Sequence, residues 1–194
     1  MTAALVAELN QLGLDCKRLG RYAEGRSHYE RAMALLESLP DPDPEDIATL
    51  YHNLGGIEHA RGDYAAAEPL ARRGLAIRLG VRGAPPARVA ADMVALGAIL
   101  DGLGRYEEAE RLYLDALAEF ERAPEDHAGD IAVALNDLGA QYVMRGRLEE
   151  AEALLLQAAE IKRRIHDPGH PSIAVTVGNL AVLSRRREVS AAIS

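Results

Sequence analysis

The sequence predicts an all-α fold in which antiparallel helix pairs stack on one another. Three observations predict it. Landmark residues recur with a fixed 42-residue period, and the apolar residues within each period follow the spacing of a helix. Large aromatic side chains are scarce, with seven Tyr, one Phe and no Trp among 194 residues. A core made of Ala, Leu, Val and Ile therefore favours close-packed helices over a sheet sandwich.

The repeat runs without a gap along the chain. Glycines recur with the 42-residue period, and a series of leucines keeps the same interval. The two series are Gly20, Gly62, Gly104 and Gly146, and Leu12, Leu54, Leu96, Leu138 and Leu180. A fixed period of this kind is the sequence signature of a stacked repeat protein.

Each interval contains two helices. In the third repeat the apolar residues from Val89 to Leu100 lie at offsets of 0, 4, 7 and 11, which trace one helix face rather than the alternation of a strand. The glycine that follows suits a left-handed helix C-cap, and Pro and Gly residues cluster between the repeats. We predict a single domain, residues 1–194, with repeats at about 4–48, 49–90, 91–132 and 133–174.

A fifth first helix follows the four repeats. Its pattern holds over about residues 171–187 and then fails, because Glu188 stands where the turn glycine is due. We therefore predict a capping helix at 171–187 and a tail at 188–194. The alternative is that the repeats continue in a longer parent chain.

Composition and charge exclude several function classes. The net charge of −8 argues against a nucleic-acid binder, which needs a positive face. The single cysteine, Cys16, allows neither an internal disulfide nor a Cys-based zinc site. No apolar run is long enough to span a membrane, and no signal peptide is recognisable. We expect a cytoplasmic protein that has no membrane or nucleic-acid partner and is a monomer or weak homodimer.

The sequence contains no recognisable catalytic chemistry. It has no nucleotide-binding loop and no hydrolase or metalloprotease motif, so we predict that the chain is not an enzyme and needs no cofactor. His166 and His170 are four residues apart, a spacing found in metal sites, but they lie in a Pro- and Gly-containing connector. We therefore predict no metal site.

The Leu-Gly, Gly, Tyr and Ala spacing within each interval resembles the tetratricopeptide repeat, whose usual period is about 34 residues. The longer period, and segments such as Gly104–Glu110 and His170–Ala174, are similar to the repeats of kinesin light chains. The resemblance covers roughly residues 4–187. It implies a right-handed α-solenoid of four full repeats and a capping helix, with the first helices lining a concave face.

The resemblance also implies where a partner binds. Residues next to each landmark leucine are expected to line the concave face, where side-chain amides in this family hold the backbone of an extended peptide. They are Asn10, Gln11, His52, Asn53, Asn136, Asp137 and Asn179, and the third repeat has no amide there. Farther along the same helices the expected lining includes Lys17, Arg18, His59, Asp101 and Arg185.

The two cations on the first helix have two interpretations. Lys17 and Arg18 can bind an acidic or C-terminal carboxylate group of a partner, since charge-assisted hydrogen bonds are strong. Alternatively they only stabilise the C-terminal end of their own helix.

The predicted function is a non-catalytic module that binds a peptide or protein segment in its concave groove. Two alternatives stay open. One is a structural scaffold that self-associates through its terminal helices, and the other is the regulatory part of a larger enzyme or signalling protein.

Overall fold

A computed structural model describes residues 2–123 and 127–193. In these ranges the chain forms nine helices and no strand, which confirms the all-α prediction. The helices are α1 (Thr2–Arg18), α2 (Tyr22–Glu37), α3 (Pro44–Ala60), α4 (Tyr64–Gly80), α5 (Pro86–Gly102), α6 (Tyr106–Arg122), α7 (Ala128–Met144), α8 (Leu148–Ile165) and α9 (Pro171–Ile193).

The landmark glycines end the first helix of each pair. Their φ angles lie between 72° and 78°, in the left-handed region that a side chain disfavours. In the first repeat the N–H of Arg21, just after Gly20, donates to the carbonyl of Cys16 at 2.8 Å. This bond belongs to the Schellman C-cap, which reverses the chain into the second helix. The predicted helix–turn–helix repeat is therefore confirmed.

The chain divides within α6 into two compact units, unit 1 (Met1–Ala109) and unit 2 (Glu110–Ser194). In unit 1, α1 contacts α2 and α3, and α3 contacts α4 and α5. No contact joins α2 to α4 in this described part of the chain. The first helices α1, α3 and α5 thus form a continuous layer. We call it the inner layer, because it lies on the inner side of the bend in a stack of hairpins.

The core of unit 1 is built where α1, α2 and α3 meet. Tyr29 is fully buried, and Gly13 leaves space for it, since a Cβ at Gly13 would lie 2.3 Å from the tyrosine ring. The buried cluster around Tyr29 consists of Val6, Leu9, Ala32, Met33, Leu36, Leu50, Leu54 and Ile57. Such close-packed apolar side chains are what each hairpin buries against its neighbour. In unit 2, α7, α8 and α9 contact one another in the same hairpin arrangement.

Two sequence-based boundaries differ from the structure. The repeat limits at 49, 91 and 133 fall inside α3, α5 and α7, because each hairpin begins about one turn earlier, at a proline or alanine. The helix expected at 171–187 continues to Ile193, so the predicted tail at 188–194 is helical as far as the structure describes it. The last residues contain neither Gly nor Pro, so nothing in the sequence breaks the helix there.

Candidate functional site

Two side-chain amides are joined across the inner layer of unit 1. Nδ2 of Asn53 on α3 donates to Oδ1 of Asn10 on α1 at 2.7 Å. Asn53 is 9% exposed and Asn10 is half-buried. The bond leaves Nδ2 of Asn10 and Oδ1 of Asn53 without a partner among residues 2–123 and 127–193. The pair therefore keeps an unbonded NH2 group on Asn10 and an unbonded oxygen on Asn53, which together complement a peptide group.

A cavity of about 220 Å³ adjoins Asn10 of this pair, near the beginning of the first helices. Its lining is mixed, and it carries one carboxylate, Asp46, and one guanidinium, Arg88. The lining residues are Ala3, Val6, Ala7, Asn10, Asp46, Thr49, Leu50 and Arg88. The cavity has room for a single side chain of a bound segment.

Lys17 and His59 form a second feature of the inner layer, toward the ends of α1 and α3. The Lys17 ammonium covers Gly56, since a Cβ built on that glycine would lie 2.7 Å from Nζ. Burial lowers the pKa of Lys17, and burial together with the nearby Lys17 charge lowers the pKa of His59. The His59 ring also packs edge-on against Tyr64, with centroids 5.5 Å apart. Within the described ranges, neither basic group has a carboxylate within ion-pair distance.

The other two predicted residues of α1 are engaged on their own helix. Nε2 of Gln11 donates to Oδ1 of Asp15 at 3.2 Å, and Nη2 of Arg18 donates to the same oxygen at 3.1 Å. The Arg18 side chain is 77% exposed. Arg18 therefore lies apart from the half-buried Lys17, although the two are consecutive in sequence.

Behind His52 lies a buried ion cluster that the sequence analysis missed. Arg78 and Asp92 are each 3% exposed, and Nε of Arg78 donates to Oδ2 of Asp92 at 2.7 Å. Nδ1 of His52 lies 2.7 Å from Oδ1 of Asp92, and Nη1 of Arg78 donates to Glu45. The cluster fixes the imidazole of His52 at the edge of the inner layer.

Unit 2 contains a comparable network in which the predicted residue Asn136 is the centre. Asn136 is 5% exposed, and its Oδ1 accepts from Thr176 Oγ1 at 2.9 Å and from Asn179 Nδ2 at 3.1 Å. Its Nδ2 donates to Oδ1 of Asp137 at 3.1 Å, and Nζ of Lys162 donates to Oγ1 of Thr176 at 2.8 Å. The side-chain oxygen of Asn136 is thus occupied by hydrogen bonds within unit 2.

The sequence carried a signal for both networks. Arg78 and Lys162 occupy one position of the 42-residue repeat at which the other repeats have Leu36 and Phe120. A cation in an otherwise apolar position indicates a buried partner, because a lone buried charge is costly. Contacts between consecutive repeats were needed to identify that partner.

The remaining predicted residues lie elsewhere. Asp101 is half-buried near the end of α5. Arg185 on α9 lines a cavity of about 470 Å³ in unit 2, together with Gly146, Leu148, Val182, Arg186, Val189 and Ser190. This cavity is open and mainly apolar, with the two arginines at its edge.

No helix in the described ranges is long and apolar enough to cross a membrane. Residues 2–123 and 127–193 also hold no group of three or more His, Cys, Asp or Glu side chains placed to bind a metal ion. The rings of His166 and His170 stack face to face, with centroids 3.8 Å apart. Cys16 is buried as a free thiol.

Stacked helical hairpins with glycine turns and a layer of first helices define an α-helical repeat protein of the solenoid class. The tetratricopeptide repeat family matches residues 4–79, 88–162 and 130–193, so the chain belongs to the tetratricopeptide repeat family. Members of this family are generally protein-interaction modules and are typically not catalysts.

Several solved structures share the fold at low sequence identity. BtubC (BKLC) from P. vanneervenii superposes with a TM-score of 0.74 and 22% identity, over 99% of this chain and 82% of that one. Kinesin-light-chain-type TPR-like repeats from Podosopora anserina give 0.70 and 21%, over 98% and 92%. The apo form of RapI gives 0.74 and 17%, over 97% and 66%. No curated protein matches the chain. The likeness confirms the kinesin-light-chain-like type of repeat.

Proposed function

We propose that this chain is a non-catalytic interaction module whose inner layer in unit 1 binds an extended segment of another protein. The observation that carries the proposal is the Asn10–Asn53 pair, with the unbonded NH2 group of Asn10 and the unbonded side-chain oxygen of Asn53. These two groups can donate to and accept from a single peptide unit of a partner without selecting its side chains. The adjoining cavity can then take one side chain of the segment.

A partner carboxylate anchors the same segment at Lys17 and His59. Lys17 is seven residues after Asn10 on α1, which corresponds to about 10 Å along the helix axis. Roughly three residues of an extended chain cover that distance. The half-buried ammonium lacks a carboxylate in the described part of the protein, so an acidic group from the partner supplies the missing charge.

The peptide proposal is tested with linear peptides selected from a random library on the purified protein. The double variant Asn10→Ala with Asn53→Ala is expected to weaken a selected peptide by about 2 kcal/mol, because each lost hydrogen bond costs roughly 1 kcal/mol. Gln11→Ala is the matched control, since this neighbouring amide is bonded to Asp15. Isothermal titration of the same peptide measures both. Undiminished affinity in the double variant would contradict the proposal.

The anchor is tested separately by charge. Lys17→Met is expected to weaken an acidic peptide roughly tenfold or more, since a hydrogen bond to a charged group contributes about 1.5–3 kcal/mol. Arg18→Met removes the same charge one residue later, from an exposed side chain paired with Asp15, and should change the affinity little. Equal effects of the two variants would show that only the overall charge matters and would contradict the proposed role of Lys17 as an anchor.

A second candidate function is self-association through the last helix. Val175, Val177 and Val189 of α9 are 45–59% exposed, and the apolar cavity of unit 2 lies on the same helix. Sedimentation equilibrium over a wide concentration range tests this, and Val177→Glu should abolish any dimer. A constant monomer mass would dismiss self-association.

A further inference from the structure

The chain has only two lysines, Lys17 and Lys162. Lys162, in the last turn of α8, is 4% exposed. In the described ranges its Nζ has one hydrogen-bond acceptor, Thr176 Oγ1 at 2.8 Å, and no carboxylate within ion-pair distance. An ammonium group has three N–H donors, so two of them lack an acceptor there.

Unit 1 contains the same arrangement with its anions present. Arg78 stands at the equivalent position two repeats before Lys162 and is buried to the same extent. Its guanidinium donates to the carboxylates of Asp92 and Glu45. The residues two repeats after these two acids are Thr176 and Gly129. Neither acid of unit 1 is therefore present at the equivalent position of unit 2, while a cation is kept.

The correspondence holds in three dimensions as well as in sequence. α3 (Pro44–Ala60) and α7 (Ala128–Met144) have the same length and the same two-repeat offset. In unit 1, His52 and Arg78 both contact Asp92, and in unit 2 their counterparts Asn136 and Lys162 both contact Thr176. The first turn of α7 therefore has the same position relative to Lys162 as the first turn of α3 has relative to Arg78.

The position from which the Glu45 side chain extends in unit 1 carries no side chain in unit 2, where Gly129 stands. Gly129 is exposed, and among the described residues a Cβ built on it has one neighbour within 4 Å, Cδ1 of Ile165 at 3.7 Å. That distance is ordinary van der Waals contact. A group entering beside Gly129 would start where the Glu45 side chain starts in unit 1, and from there that side chain reaches Arg78.

We infer that unit 2 binds a carboxylate group between Gly129 and Lys162, in the place that the carboxylate of Glu45 occupies in unit 1. The ligand pairs with the Lys162 ammonium and lies at the N-terminal turn of α7, whose dipole favours an anion. Burial lowers the pKa of Lys162, and the bound anion raises it again by stabilising the charged form. Asp137, the carboxylate that acts on Lys162 from α7, raises this pKa only in part.

The experiment uses the full chain with carbon-13 at the Cε atoms of lysine, which gives one signal for each of its two lysines. Sodium acetate is titrated against sodium chloride at constant ionic strength. The Lys162 signal is expected to shift with saturation, and its pKa to rise by about one unit or more. A second titration uses the peptide acetyl-Gly-Glu-Gly-amide. A response to both ligands identifies a carboxylate on a protein segment, and a response to acetate alone identifies a small free carboxylate.

Gly129→Glu restores the acid of unit 1 and is expected to raise the Lys162 pKa without any ligand and to abolish the acetate response of Lys162. Gly129→Gln is the matched control, with the same shape and no charge, and should leave the pKa low. Lys162→Met, read by thermal unfolding, should lose the stabilisation by acetate that the unsubstituted protein shows. An unresponsive Lys162 signal in both titrations overturns the inference. An unchanged Lys162 pKa in folded Gly129→Glu overturns it as well.

Discussion

At the scale of single residues, two tyrosine hydroxyls differ in their surroundings. The hydroxyl of Tyr29 is fully buried and has no hydrogen-bond partner in the described part of the chain, and burial raises the pKa of this phenol to about 12. The hydroxyl of Tyr142 donates to Oε1 of Glu110 at 2.7 Å. An unpaired buried polar group costs free energy, whereas a paired one stabilises the fold.

We therefore expect Tyr29→Phe to leave the free energy of unfolding unchanged or to raise it by about 1 kcal/mol. Tyr142→Phe should lower it by about 1 kcal/mol, because the Glu110 carboxylate loses a donor. Urea unfolding followed by circular dichroism measures both. A clear loss of stability in Tyr29→Phe would mean that its hydroxyl has a partner, such as a buried water.

His59 makes the stability of unit 1 depend on pH. Its pKa is lower in the folded protein than in the unfolded chain, mainly through burial and also through Lys17. As pH falls below about 6.5, the unfolded chain takes up a proton that the folded chain resists, so stability falls until the folded pKa is reached. Between about pH 7.5 and pH 5.5, the unsubstituted protein should lose more stability than His59→Gln. Parallel urea titrations at the two pH values test this, and equal losses would contradict it.

At the scale of helices, the α4–α5 contact depends on a buried ion pair, Arg78 with Asp92. Asp92→Ala is expected to cost about 3–5 kcal/mol, because it leaves the buried guanidinium short of its partner. The residues one repeat before Arg78 and Asp92 are the apolar alternative, Leu36 and Leu50, which are 2% and 1% exposed. The double variant Arg78→Leu with Asp92→Leu should therefore recover most of that loss. Chemical denaturation of the unsubstituted protein, Asp92→Ala and the double variant measures the three free energies of unfolding. A double variant as unstable as Asp92→Ala would contradict the prediction.

The helices themselves could be predicted from the sequence, and their polar contacts could not. The apolar offsets and the turn glycines depend on neighbours within one hairpin, so Gly20 and its equivalents predict each reversal correctly. The end of α9 was missed because the prediction depended on a missing glycine at Glu188, and the absence of a turn residue allows a helix to continue.

The candidate site could also be predicted only in part, because its contacts join residues from different repeats. Asn10 and Asn53 could be assigned to the inner layer from their repeat positions, but not to each other, because their contact joins side chains from two repeats. Lys17 and Arg18 are adjacent in sequence, and only the approach of α3 to α1 distinguishes the buried cation from the exposed one.

At the scale of the whole molecule, stability should be local. In stacked repeats each hairpin contacts only its neighbours, so damage at one contact does not spread evenly along the chain. Asp92→Ala is expected to reduce amide hydrogen-exchange protection in α3, α4 and α5 much more than in α8 and α9. Exchange read by mass spectrometry measures each helix. Equal loss of protection throughout would mean that the chain unfolds as one cooperative body.

A buried cation occurs in every second hairpin, at Arg78 and Lys162, whereas Leu36 and Phe120 occupy the same position in the other two. This alternation has a consequence for how such a chain can be lengthened. Duplicating one hairpin, for example residues 44–85, would place Arg78 against a second copy of Leu50 and deprive it of the Asp92 carboxylate. Duplicating two consecutive hairpins, residues 44–127, would again place Arg78 opposite Asp92. Lengthening by recombination therefore costs the least stability when hairpins are added in pairs. Designed extensions of this scaffold should accordingly copy two hairpins at a time.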